Sequence, residues 1–163
     1  MSNLNFSSIE SEIGKIFIIA NSRGVSKVIF GEKGFRDFLD SVNSSRVIEG
    51  GAAEELAAEL SLYLEGRLSS FKTDVDLSSG TRFQKAVWKK LLEVPYGEVI
   101  TYKDLARAVG SPNGARAVGN AVGANPVPIV IPCHRVLASN GLGGYTCGVE
   151  IKKDLLRLEG ALT

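Results

Sequence analysis

The sequence predicts an α+β fold in two parts: a small N-terminal α/β domain with a β-hairpin or sheet, then a mostly helical C-terminal domain containing a helix-turn-helix followed by Cys133. Three observations predict it. Two β-branched apolar runs sit close together near the start, helical spacing takes over from residue 52, and periodicity lapses over residues 69–81, where Ser, Asp and Gly collect. The domains are therefore expected at 1–78 and 79–163, within a chain of 163 residues whose 44% apolar content can build a core.

The first run, Ile13 to Ala20, and the second, Val25 to Phe30, flank Asn21-Ser22-Arg23-Gly24 and predict a hairpin. Gly34 to Val42 is weakly helical. Ala52 to Leu64 is strongly so, with Leu56, Leu60, Tyr63 and Leu64 on one face and Gly66 as its stop. Thr81 is placed to cap a helix whose apolar positions are Phe83, Val87, Trp88, Leu91 and Leu92, ending before the Pro95-Tyr96-Gly97 turn. Trp88 falls on the core side of that pattern. Thr101 caps a further short helix through Val109, Gly110 to Gly114 interrupt it, and another short helix runs from about Ala115 to Val122, which is helix-turn-helix spacing.

Composition excludes several classes. No run reaches the ~18 apolar residues that span a bilayer, and the first residues lack a basic region followed by an apolar one, so an intracellular, cytoplasmic protein with no membrane partner is expected. Two cysteines, Cys133 and Cys147, are too few for a disulfide scaffold, and with one histidine and no CxxC pair no metal is expected. Charge is uneven: residues 1–80 carry 8 Lys and Arg against 12 Asp and Glu, while 81–163 carry 11 against 6. The basic half is the one suited to a polyanion. Its second short helix is small-sided, with Ala115, Ala117 and Gly119 around the single long side chain of Arg116, which would let a helix approach a nucleic-acid groove closely.

After that helix comes Asn125-Pro126-Val127-Pro128-Ile129-Val130-Ile131-Pro132-Cys133-His134-Arg135-Val136. Its three prolines rule out a central strand and stiffen the segment that delivers Cys133. The sole imidazole and a cation follow the thiol at once, and cationic or proton-accepting neighbours are what turn a thiol near pKa ~8.5 into a nucleophile. Because adjacent residues on a helix do not face one another, a water bridge from His134 to the sulfur is an alternative to a direct bond, and the sequence leaves both open.

These segments, Ala115-Arg116-Ala117-Val118-Gly119, Asn125-Pro126-Val127-Pro128 and Ile131-Pro132-Cys133-His134-Arg135-Val136, resemble the methylated-DNA-protein-cysteine methyltransferases, or alkylguanine-DNA alkyltransferases, over about residues 81–160. The resemblance implies repair of double-stranded DNA containing alkylated guanine: minor-groove binding, base flipping, and a single irreversible transfer from O6-alkylguanine to Cys133, with O4-alkylthymine a further possible substrate. It implies no cofactor, and a monomer is expected. By the same resemblance Arg116 fills the gap left by the flipped nucleotide. Tyr102 helps turn it out and serves the departing base, Asn125 ties the turn before the cysteine, and Glu159 orients His134. The loop Asn140 to Gly148 would form the pocket wall, with Val136, Tyr145, Thr146, Cys147 and Lys152 about the base. Flipping is physically required, since a protein-held thiolate cannot reach the stacked O6 substituent in line. Two other readings stay open at this level: a damage sensor that flips without repair, in which the cysteine is typically replaced, and a turnover hydrolase on Cys133, His134 and Glu159.

Overall fold

The computed structural model describes residues 3–163, and two compact units divide between Leu77 and Ser78. The first unit holds a four-stranded sheet in the order β3-β2-β1-β4, formed by β1 (Leu4–Ile9), β2 (Ile16–Asn21), β3 (Gly24–Phe30) and β4 (Val47–Glu49). β2 pairs antiparallel with both neighbours, and β4 joins β1 in parallel through Leu4↔Val47. Ile16 to Ala20 are all buried, because α2 (Gly51–Leu64) packs on the sheet with Leu56, Leu60 and Tyr63 while Phe35 of α1 (Glu32–Ser41) stacks on Phe17 at 4.1 Å. A strand covered on both faces reads as a continuous apolar run, which is why the hairpin was legible.

Two details differ from the sequence expectation. The first hairpin strand begins at Ile16 rather than Ile13, since Ser11 and Gly14 exchange backbone hydrogen bonds in a turn with Gly14 at φ +108°. β1 and β4 carry too little apolar pattern to have been foreseen; their pairing spans some forty residues of chain.

The second unit is mostly helical. Thr81 caps α3 (Arg82–Leu91) in a reciprocal capping box with Gln84, and Val87, Trp88 and Leu91 face inward. Leu92 does not: it is the C-cap residue, past the last helical turn, and 46% exposed. The Trp88 indole is core, donating from Nε1 to the Ala121 carbonyl at 2.8 Å. Thr101, at the end of β5 (Ile100–Thr101), caps α4 (Tyr102–Ala108) through the Asp104 N–H. Gly110, at φ +77°, closes α4 with Ser111 N–H on the Ala106 carbonyl and Gly110 N–H on that of Arg107, the paired bonds of a Schellman turn. The chain then enters α5 (Ala115–Gly123), which packs on α3 and α4 through Val118, Ala121 and Val122.

A 3₁₀ turn (Cys133–Arg135) leads into β6 (Val136–Leu137), which pairs in parallel with β5, so the start of α4 and the exit from the cysteine turn are joined by one short ladder. α6 (Val149–Leu158) closes the chain, packing on the cysteine turn. No helix among the described residues is long and apolar enough to cross a membrane.

Candidate active site around Cys133

The segment before the cysteine is shaped by backbone chemistry. Asn125 accepts from the Val127 N–H at 2.9 Å and donates from Nδ2 to the Ile131 carbonyl at 2.7 Å, so one amide closes the loop at both ends. The Ile131 N–H returns to the Val127 carbonyl at 3.0 Å. Within this clamp Ile129 sits at φ +76°, which a β-branched residue adopts only when its surroundings hold it there. Pro132, at φ −79° and ψ 65°, is the centre of an inverse γ-turn, with Cys133 N–H on the Ile131 carbonyl at 2.7 Å. Proline presets that φ, and the sulfur is presented from a turn with little freedom.

Cys133 is 6% exposed, and His134 beside it is fully buried. Burial pushes the Cys133 thiol above its ordinary value; hydrogen bonds from Asn125 and Tyr145, the turn's backbone N–H and the nearby Lys152 charge pull the other way without overcoming it. The expectation of a thiolate favoured by neighbouring cations is therefore corrected: desolvation outweighs them and favours the thiol.

His134 can be that base. Burial holds its imidazole below the usual value, outweighing the hydrogen bond and charge of Glu159, with Arg135 and Lys152 adding to the lowering. Its Nε2 lies 2.8 Å from Glu159 Oε2, which assigns the proton to Nε2 and leaves Nδ1 as acceptor. Nδ1 is buried and has no hydrogen-bond partner within the protein, the Cys133 sulfur included. Glu159 is no solvated helix end. It is the C-cap of α6, fixed by a Schellman closure at Gly160 (φ +77°), and it is 6% exposed.

Arg135, which the sequence reading passed over as a site residue, completes the arrangement. Its Nε donates to Glu159 Oε1 at 2.8 Å, its Nη2 to Oε2 at 2.9 Å and its Nη1 to the Val94 carbonyl at 2.7 Å. The bidentate geometry satisfies both carboxylate oxygens and orients the one that meets His134. A cation directly after the His was the available signal; its buried carboxylate partner, 24 residues on, was not.

The remaining expected residues fall in two groups. Tyr102, half-buried at the start of α4, lies against Gly143, where a Cβ would stand 3.2 Å from its Cε2; burial and then the charge of Cys133 push its hydroxyl above the ordinary 10. Tyr145 acts to lower the Cys133 thiol's pKa, the exposed Thr146 ties its loop to the end of α5 by donating to the Gly123 carbonyl at 3.0 Å, and Val136 is buried in β6. Lys152 is fully buried, its Nζ on the carbonyls of Val136, Leu142 and Gly144. Cys147, half-buried on the same loop, is pushed up to about 12 by burial and then by Cys133, so it is a thiol at neutral pH. On the surface, Ala115, Arg116 and Ala117 form the exposed first turn of α5, Gly119 lies beside the Tyr102 ring, and Arg116 projects from otherwise small side chains. Among the described residues no group of three or more His, Cys, Asp or Glu is placed to hold a metal ion.

Fold and site together define a class: a protein with a buried cysteine on a turn fixed by backbone hydrogen bonds, beside a buried, hydrogen-bonded His134, Glu159 and Arg135, in the same unit as a helix-turn-helix. Residues 82–161 match the family described as 6-O-methylguanine DNA methyltransferase, DNA binding domain. The methylated-DNA-protein-cysteine methyltransferase of Methanosarcina barkeri is 44% identical over 155 residues, 93% of this chain and 94% of that protein. The crystal structure of the Mycobacterium tuberculosis O6-methylguanine methyltransferase superposes with a TM-score of 0.81 at 34% identity, covering 98% of this chain and 94% of that one. That of the M. tuberculosis OGT in complex with DNA gives 0.82 at 34% identity, covering 96% and 93%. The chain belongs to the methylated-DNA-protein-cysteine methyltransferase family.

Proposed function

We propose that this chain repairs alkylated DNA by moving the alkyl group from O6 of guanine onto the Cys133 sulfur, once per molecule. The observation that carries the reading is the Cys133 turn itself: a thiol clamped by Asn125 and Pro132, beside a neutral imidazole whose second nitrogen is held by Glu159.

α5 enters the minor groove with its small first turn, and Arg116 takes the place of the flipped nucleotide, lowering the few kcal/mol that unstacking costs. His134 Nδ1 accepts the thiol proton through a water as the sulfur attacks. The S–C bond forms while the C–O6 bond breaks, and the electron pair leaves with guanine. Tyr102, whose raised pKa keeps it protonated, donates to the departing base and recovers its proton from the relay. The product is a thioether with no activated carbonyl for water to attack, so the protein is not regenerated. No cofactor enters the scheme, and the two free thiols suit a reducing cell interior.

The test is intact-mass measurement after incubation with a duplex carrying one O6-methylguanine. One methyl gained per protein, mapped to Cys133 and absent in Cys133→Ala, is the expected result. An unmodified protein, or a methyl on another residue, would refute the assignment.

A further inference from the structure

We propose that Asn140 is a site of spontaneous covalent modification: attack by the Gly141 backbone nitrogen turns its side-chain amide into a carboxylate, which adds a negative charge to the loop before the pocket wall and weakens the hold on DNA. The modification follows from the turn alone, whereas its consequence for DNA rests on the alkyl-transfer reading above. Of the eight asparagines, only Asn113 and Asn140 precede a glycine. That pairing is the reactive one, because the next residue's nitrogen must close a five-membered ring on the side-chain carbonyl carbon, and glycine has no Cβ to obstruct the approach. Along the sequence the two pairs are equivalent. In the fold they are not.

Asn140 and Gly141 are both exposed, in a turn whose closing bond runs from the Gly141 N–H to the Ala138 carbonyl at 3.4 Å, longer than an ordinary hydrogen bond. The space beside Gly141 is open, with no heavy atom beyond its chain neighbours within 4 Å of the place a Cβ would take. Gly114 is the opposite case. It is the N-cap of α5, its N–H lies on the Ser111 carbonyl at 2.8 Å, its own carbonyl takes the Val118 N–H at 2.8 Å, and a Cβ there would collide with Ser111 Oγ. Ring closure requires the Asn–Gly peptide to rotate. At Gly114 that rotation breaks two good hydrogen bonds and the entry to α5; at Gly141 it breaks one weak bond.

In the reaction the Gly141 nitrogen gives its proton to hydroxide and bonds to Asn140 Cγ, the Cγ–Nδ2 bond breaks, and ammonia leaves with a proton from water. A second water opens the cyclic imide at either carbonyl, leaving aspartate or its isomer joined through the side-chain carbon, which lengthens the main chain by a methylene. Asparagine and water thus become a carboxylic acid and ammonia, with no oxidant or metal involved. Either product is ionised at neutral pH, since such a carboxyl titrates near 3.9. The 11 Lys and Arg of residues 81–163 then face 7 rather than 6 acids. The new charge enters two residues before Leu142, whose carbonyl Lys152 holds, and three before Gly143, which lies against Tyr102. Beside a polyanion an added anion lowers affinity, and salt screens the effect.

The test ages the purified protein in alkaline buffer and maps its peptides by mass. A gain of one mass unit at Asn140 is expected, with Asn113 slower by about tenfold, the cost of opening its additional hydrogen bonds. In denaturant the two sites should react alike. Gly141→Ala, which the open space and ordinary φ accommodate, should slow the change at Asn140. Equal rates in the folded protein, or a faster Asn113, overturn the assignment. Methyl transfer from a duplex carrying O6-methylguanine, kept below saturation, then reads the consequence. Aged wild type and fresh Asn140→Asp are expected to be about threefold slower than fresh wild type at low salt, with the gap narrowing as salt is raised. No difference at low salt, or one that salt leaves unchanged, overturns the effect on DNA. A fresh wild-type protein that gains no methyl on Cys133 refutes the functional reading and that effect with it, while peptide mapping, which needs no DNA, decides the modification separately.

Discussion

Replacing Arg135 by Met removes the guanidinium while keeping most of the stem volume, and the structure allows the consequence to be worked out. Three hydrogen bonds go, two of them to the Glu159 carboxylate, whose side chain has no exposed surface. Glu159 is left as a buried charge without its bidentate cation, His134 at 2.8 Å and the Gly97 N–H at 3.4 Å being among the contacts that stay. Removing one member of a buried ion pair costs about 3–5 kcal/mol, because the survivor stays desolvated without its partner. For a chain of this length that is a fall in Tm of roughly 10 °C, and methyl transfer should fall as well, since the carboxylate that orients His134 is no longer held. Thermal unfolding at pH 7.5 reads the first effect and single-turnover transfer the second. The double variant Arg135→Met/Glu159→Leu makes the reasoning sharper: with both charges gone the desolvation penalty disappears, so much of the lost Tm should return while transfer stays impaired. A single variant within about 3 °C of wild type, or a double variant less stable than either single one, would refute the account of Glu159 as a carboxylate that Arg135 keeps buried and aimed.

Two further outcomes are expected. Asn125→Ala strands the Val127 N–H and one acceptor site on Ile131 and removes a hydrogen bond from the sulfur; a loss of about 2–4 kcal/mol by denaturant titration and a higher pKa for iodoacetamide labelling of Cys133 should follow, and an unchanged labelling pKa would contradict the proposed contact. His134 has its folded pKa below the unfolded 6.5, so as pH falls the unfolded chain takes the proton first: its contribution to stability is complete above pH ~6.5 and is lost as pH falls through the folded value, which a Tm series from pH 8 to 5 in wild type and His134→Gln would test, a slope equal in both disproving it.

The sequence by itself determined what is local. Thr81 with Gln84, Thr101 with Asp104, and the glycines after α2 and α4 set helix ends by hydrogen bonds spanning three to five residues, and such bonds can be read along a line. The order and spacing of the motifs, from Arg116 through Asn125 to Cys133-His134, were legible for the same reason, as was the small-sided surface of α5. Tertiary structure alone decided the state of the groups. It buried Glu159 beneath Arg135 and His134, turned Lys152 from a nearby cation into the common donor of three carbonyls, and brought β1 against β4. The physical reason is that protonation follows desolvation, which depends on what the rest of the chain places around a residue: the imidazole and the cation that follow Cys133 in sequence argued for a thiolate, and burial pushes it toward the thiol.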